Sequence, residues 1–176
     1  MHGMKIREKT IPNVKCIILC KDNLYTAIAI LACWKAQIVP VPLSVNYGQK
    51  HSQKAIELIN PDIIITDYSL HDLALPVYNI KSHSFLGKEK NIIAEKGMEN
   101  VAVIMCTSGT TGKPKGVMIS NEALWKNIYS ISKYFVLTEQ DRILISRPLY
   151  HCAVLTGEFL ISIVKGTSIY FFSGLF

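Results

Sequence analysis

The sequence predicts an α/β fold built on a parallel sheet with helices on its faces. Three observations carry that expectation. Apolar runs at residues 14–20 (V-K-C-I-I-L-C), 62–66 (D-I-I-I-T) and 101–106 (V-A-V-I-M-C) are nearly unbroken, as strands buried on both faces tend to be. Stretches of helical length lie between the strand candidates. The links joining them are only a few residues long.

Taken in order, strand 14–20 leads to Asn23, a candidate N-cap for a helix over residues 24–36. Residues 37–41 return as a short strand closed by Pro40 and Pro42. A helix with a polar face is expected from about 48 to 59. It stops at Asn60-Pro61, because the residue before a proline is pushed out of the helical region. Strand 62–66 follows. In the less regular stretch 67–100, residues 76–80 read as a short strand and 82–91 as a polar surface connection. Strand 101–106 runs directly into a glycine-rich loop. Beyond it, residues 116–119 are strand-like, and Ser120 or Asn121 caps an amphipathic helix reaching about 135. Strand 142–146, helix 153–164 and strand 167–172 repeat the alternation. Trp34 and Trp125 fall at helical spacing with other apolar residues and are assigned to the core. The apolar run ending at Phe176 leaves the predicted architecture interrupted.

Composition narrows the class. The chain has 176 residues, enough for one domain with a real core and too few for two ordinary ones. With 49% apolar and 18% charged residues, disorder is excluded. The longest apolar stretch, residues 24–34, is too short to span a bilayer, and no signal peptide is evident, so a cytoplasmic location is expected. Five cysteines with no C-x-x-C pair read as buried free thiols rather than a metal or disulfide framework. The net charge of +6 is scattered, without the basic stripe or interleaved aromatics that nucleic acid binding requires.

Residues 107–117 read T-S-G-T-T-G-K-P-K-G-V and concentrate the chemistry. Glycines at 109, 112 and 116 let backbone N–H groups turn inward around an anion, since no Cβ blocks the approach. The hydroxyls of Thr107, Ser108, Thr110 and Thr111 add donors. Lys113 and Lys115 add positive charge suited to phosphate oxygens. One such pair at ~4 Å is worth about 1 kcal/mol in water and about 4 kcal/mol at an effective dielectric of about 20. The loop therefore grips collectively. It is not a Walker A loop: only two residues separate Gly109 from Gly112, and Pro114 follows Lys113. Nor does C-K-D-N after the first strand supply a dinucleotide-binding glycine turn.

This stretch closely resembles the phosphate-loop signature of the adenylate-forming (AMP-binding) superfamily, which includes acyl-CoA synthetases, luciferases and the adenylation domains of peptide synthetases. Residues 26–45, containing W-K-A-Q-I-V-P-V-P-L, resemble its helix-then-strand segment, with Gln37 where the family commonly has glycine. R-P-L-Y-H at 147–151 is similar to its P-L-F-H segment, and Lys165-Gly166-Thr167 match the small turn before its next strand.

The resemblance implies the layered parallel-sheet subdomain of the adenylate-forming ligase fold, incomplete. Residues 1–176 would form a partial N-terminal adenylation domain, with the C-terminal part of the family fold absent. It implies that Thr107, Ser108, Gly109, Thr110, Thr111, Gly112 and Lys115 hold the β- and γ-phosphates of ATP with Mg²⁺. Lys113 and Gly116 belong to the same loop, and Lys113 is equally readable as solvated. His151, with Tyr150 beside it, would lie near the carboxylate pocket; a core histidine bonded to backbone is the alternative. Glu158 reads equally as a helix-surface carboxylate or a site residue, and Asn121, where many members carry histidine, as a helix cap.

The implied reaction joins a small-molecule carboxylate to AMP, with coenzyme A or a carrier-protein thiol as acyl acceptor. No catalytic residue is assignable, because the family's catalytic lysine belongs to the missing part. Amino-acid adenylation is the alternative substrate class. A non-catalytic nucleotide- or partner-binding module, or a degenerate remnant, is the alternative function. The chain is expected to be inactive alone and to self-associate or need a partner, a polypeptide carrying the rest of the ligase being one candidate.

Overall fold

In the computed structural model, which describes residues 14–47, 49–70, 74–87, 98–107 and 114–172 (49–51 in backbone only), strand β1 (Lys15–Leu19) is buried at every position. It pairs in parallel with β2 (Val39–Pro42) on one side and with β3 (Ile63–Thr66) on the other. β4 (Val77–Asn79) extends the sheet in parallel and β5 (Ser84–Leu86) closes it antiparallel, giving the order β2-β1-β3-β4-β5. Helix α1 (Asn23–Lys35) connects β1 to β2, and α2 (Gln49–Ile59) connects β2 to β3.

Period-two alternation divides β1 between two cores. Cys16 and Ile18 face the core that holds Ala29, Ile30 and Cys33 of α1. Ile17 and Leu19 face the core that holds Ala55 and Ile59 of α2. Covered on both faces, the strand is apolar from Cys16 to Leu19, with Lys15 buried at its start. In β2, the N–H groups of Val39 and Leu43 donate to Val14 and Ile18, toward β1. Pro40 and Pro42 therefore face the other side, where a strand would need donors they lack. β6 (Val101–Thr107) lies beside β2, yet it pairs with β7 (Lys115–Ser120) in a separate two-stranded sheet.

The β6–β7 pairing skips a residue between Val101 and Val103. Ala102 is the extra residue of this bulge, so Ala102 and Val103, though consecutive, both join the α1-side core, while Ile104 faces the other. The Ala102 carbonyl accepts a hydrogen bond from Trp34 Nε1 at 2.7 Å.

After β7 comes α3 (Asn121–Tyr134), then β8 (Arg142–Ile145), which pairs in parallel with β9 (Ser168–Phe171). Between them runs a continuous helical crossover: α4 (Cys152–Val154), a π-helical stretch (Leu155–Leu160) and α5 (Ile161–Lys165). Leu124 and Ile128 of α3, Ile145, Leu149, Val154 and Phe159 complete the α1-side core, joining this unit to the first sheet.

The α/β alternation and the parallel strands stand as expected, with five local corrections. Asp22, not Asn23, caps α1: its Oδ1 accepts from Leu24 N at 2.8 Å, leaving the Asn23 side chain for another task. Ser120, not Asn121, caps α3 through Ala123 N at 3.1 Å, and Asn121 N donates to the Asn100 carbonyl. Trp125 is 59% exposed; Leu124 and Ile128, one helical turn apart, supply the buried face, and residue 125 is rotated off it.

Part of the expected connection 82–91 is strand β5, an exposed edge that folds back after the Asn79 carboxamide accepts from Lys81 N and Ser82 N; residues 88–91 lie outside the described residues. Finally, Cys16, Cys20 and Cys33 are buried, but Cys106 is only partly so and Cys152 is exposed at the start of the helical crossover. No described helix is long and apolar enough to cross a membrane.

Candidate functional site

Both ends of the glycine-rich loop are fixed by the hairpin. Thr107 closes β6 and Lys115 opens β7, directly opposite one another and both exposed. Pro114 beside Lys115 is buried. A hydroxyl and an ammonium at the end of a buried strand form a donor set suited to phosphate oxygens, with no carboxylate in the pair to repel them. Ser108, Gly109, Thr110, Thr111, Gly112 and Lys113 lie outside the described residues. Gly116 has a packing reason of its own. A Cβ there would come within 3.1 Å of Ile59 Cδ1 and 3.2 Å of Ile104 Cγ2, so glycine lets α2 lie close against the hairpin.

Three strands present their carboxyl ends at this place, where open α/β sheets bind ligands. β6 brings Cys106 and Thr107. The turn after β2 brings Tyr47, whose ring centroid is 6.5 Å from that of Tyr150. The segment after β8 brings Tyr150, half-buried, and His151, whose ring lies 4.5 Å from it. His151 is exposed, which removes the core-histidine reading. Its main chain starts the helical crossover, its carbonyl accepting from Val154 N and Leu155 N at 3.0 Å.

Burial raises the Tyr47 phenol above its usual range, and the neighbouring Cys106 and Tyr150 add to the effect. Tyr47 thus bridges the loop-bearing strand and the Tyr150–His151 segment. Nothing in the sequence around 47 marked it, since the bridge exists only once residues 47, 106 and 150 meet. Burial also pushes the Cys106 thiol up to about 11, so at neutral pH it is a protonated filler rather than a nucleophile.

Glu158, open to two readings from sequence, has a partner. It pairs with the Arg147 guanidinium from the π-helical stretch, across the turn that carries Tyr150 and His151. Asn23, expected as the cap of α1, serves here instead. Its carboxamide spans to the same turn, with Nδ2 donating to the Arg147 carbonyl at 3.0 Å and Oδ1 accepting from Leu149 N at 3.1 Å.

The model of the AMP-binding enzyme family matches residues 11–175. Tyrocidine synthase 1 of Brevibacillus parabrevis is 27% identical over 164 residues, covering 89% of this chain and 15% of that protein. The 2-succinylbenzoate–CoA ligase of Bacillus pumilus (strain SAFR-032) is 33% identical over 123 residues, covering 69% of this chain and 24% of that one. Among solved structures, O-succinylbenzoate coenzyme A synthetase (MenE) from Bacillus subtilis, in complex with AMP, is similar with a TM-score of 0.75. The identity there is 25%, over 93% of this chain and 44% of that one. The chain therefore spans less than half the length of these relatives. The layered sheets and the loop-bearing hairpin agree with the matched span, and on both grounds the chain belongs to the AMP-binding enzyme family.

Proposed function

We propose that this chain carries the polyphosphate-gripping side of a site that activates a carboxylate with ATP. In that reaction a carboxylate oxygen bonds to the α-phosphorus and the bond to pyrophosphate breaks, leaving an acyl-adenylate; a thiol such as that of coenzyme A then takes the acyl group, the bond from the acyl carbon to the adenylate oxygen breaking and AMP leaving. Loop residues 107–113 with Lys115 and Gly116 would hold the β- and γ-phosphates. There they offset charge on the departing pyrophosphate by fixed donors and by position. Magnesium bound with the nucleotide would supply further charge neutralisation at the phosphates. Tyr150 and His151 would face the carboxylate, with Tyr47 as the wall between the two halves.

The observation that carries this reading is the opposition of Thr107 and Lys115 at the end of a buried strand, beside the Tyr47–Tyr150–His151 cluster. An acyl-CoA type of reaction is favoured over amino-acid adenylation by the R-P-L-Y-H segment, although the relatives include both a CoA ligase and a peptide synthetase. A second reading is a module that binds nucleotide or a partner without turnover.

Calorimetric titration of the chain with ATP, with and without magnesium, tests the proposal. ATP should bind more tightly than AMP, and Lys115→Ala should weaken ATP about tenfold while leaving AMP within twofold, consistent with loss of one partly screened charge contact. No ATP binding at millimolar concentration, or ATP affinity indifferent to Lys115→Ala, would refute it. Carboxylate-dependent exchange of label between pyrophosphate and ATP separates the two readings. Comparing aromatic acids with amino acids in that exchange assigns the substrate class.

A further inference from the structure

We infer that Asn23 is a positioning residue for the carboxylate side of the site, resting on the reading of Tyr150 and His151 given above. Asn23 opens α1, and its partners lie more than a hundred residues away at Arg147 and Leu149. A carboxamide offers one acceptor and one pair of donors, and here each end meets a main-chain group of the same turn. Nδ2 holds the Arg147 carbonyl at 3.0 Å and Oδ1 holds Leu149 N at 3.1 Å. The two anchored peptide groups flank Pro148 and immediately precede Tyr150 and His151.

The clamp is itself held still. Asp67, just past β3, accepts from Lys21 N and Asp22 N, each at 2.9 Å, pinning the turn before α1 to the sheet. Asn23 is thus fixed from its N-terminal side by Asp67 and from its C-terminal side by the helix. On the far side of the turn, the Arg147 guanidinium meets Glu158. The segment that presents Tyr150 and His151 is held at its main chain by Asn23 and at its Arg147 side chain by Glu158. A site group held within tenths of an ångström needs such support, because a displacement of about 1 Å can cost on the order of a hundredfold in rate.

A merely structural staple would change stability alone; a positioning role changes His151 and the carboxylate, and spares ATP. Histidine-selective NMR of the full chain reads this directly, comparing Asn23→Ala with Asp22→Ala, which removes the neighbouring helix cap and leaves the clamp intact. Asn23→Ala should shift or broaden the His151 ring resonances, and Asp22→Ala should leave them in place whatever its melting temperature. Asn23→Asp keeps the acceptor for Leu149 N but sets a carboxylate oxygen against the Arg147 carbonyl in place of the donor, so it too should disturb His151. It carries the test if Asn23→Ala does not fold.

In the ligand arm, a carboxylate titration that moves His151 in wild type should need about tenfold more ligand in the Asn23 variants, with ATP affinity within twofold. His151 signals identical in wild type and both Asn23 variants, or equally disturbed by Asp22→Ala, would overturn the positioning role. Carboxylates that leave His151 unmoved in wild type would instead refute the functional reading of the site, and the first arm would still decide whether Asn23 sets the turn.

Discussion

Gln37 sits at the end of α1 with φ 58°, in the left-handed region that costs a side-chain-bearing residue about 1–2 kcal/mol. The hydrogen bonds explain why it must. Ile38 N donates to the Cys33 carbonyl at 2.8 Å and Gln37 N to that of Trp34 at 3.1 Å, the paired closure that glycine usually terminates. Gly166 closes α5 in the same way, with φ 70°, Thr167 N on Ser162 and Gly166 N on Ile163. One closure thus has its favoured residue and the other does not. Gln37→Gly should raise stability by something under about 1 kcal/mol, the relieved strain being partly offset by glycine's greater freedom in the unfolded chain. Gly166→Ala should lower it by about 1 kcal/mol, with only a flexible neighbour, Glu139 Cγ at 3.3 Å, to move aside. Urea unfolding of the two variants checks both signs.

At the scale of the element, the bulge in β6 and the thiols of β1 make separate predictions. Trp34→Phe keeps the ring packed but removes the donor to the Ala102 carbonyl, and should destabilise by about 1–3 kcal/mol. The loss should appear in thermal melts without a change in helix content. On β1 and just past it, burial raises the Cys20 thiol, and the hydrogen-bonded Cys33 thiol together with burial holds Cys16 well above the usual range. Burial at the end of β6 moves Cys106 from 9.0 to about 11. The folded state therefore favours protonated thiols, while the unfolded chain releases its protons near 9.0. Stability from these groups is complete below pH 9 and falls as pH rises toward 11. Melting temperatures measured from pH 7 to 11 should show that fall, and Cys106→Ala should make it shallower.

Over the whole molecule, apolar surface collects on the unit built from α3, β8 and β9. Leu144 is 61% exposed and Tyr170 52%, and Trp125 and Tyr129 of α3 are open as well. Parallel strands are ordinarily covered on both faces, and a two-stranded sheet is marginal unless something packs on it. We predict that the chain self-associates through the open face of β8 and β9, where Leu144 lies opposite Tyr170. Sedimentation velocity should show concentration-dependent species larger than the monomer, reduced in a Leu144→Lys/Tyr170→Lys double variant. A monomer that persists at every concentration, with the variant indistinguishable from it, would exclude the prediction.

Local pattern determined much of this protein. Strands covered on both faces carry nearly continuous apolar runs, so β1, β3 and β6 were readable from 14–20, 62–66 and 101–106, and the proline and glycine stops of α2 and α5 from Asn60-Pro61 and Gly166. The family was readable because eleven consecutive residues carry its loop. Only the tertiary structure decided what depends on residues distant in sequence meeting in space. Asn23 and Asp22 are both good caps by type, and the choice fell to Asp22 because the Arg147–Leu149 turn occupies Asn23. Trp125 fits an apolar helical stripe, yet it is 59% exposed, off the side of α3 that buries Leu124 and Ile128. Tyr47 became part of the site through Cys106 and Tyr150, and Glu158 acquired its role through Arg147. Secondary structure follows short-range sterics and hydrophobic periodicity that a linear text records, whereas a site is a meeting of strand ends set by how the layers pack.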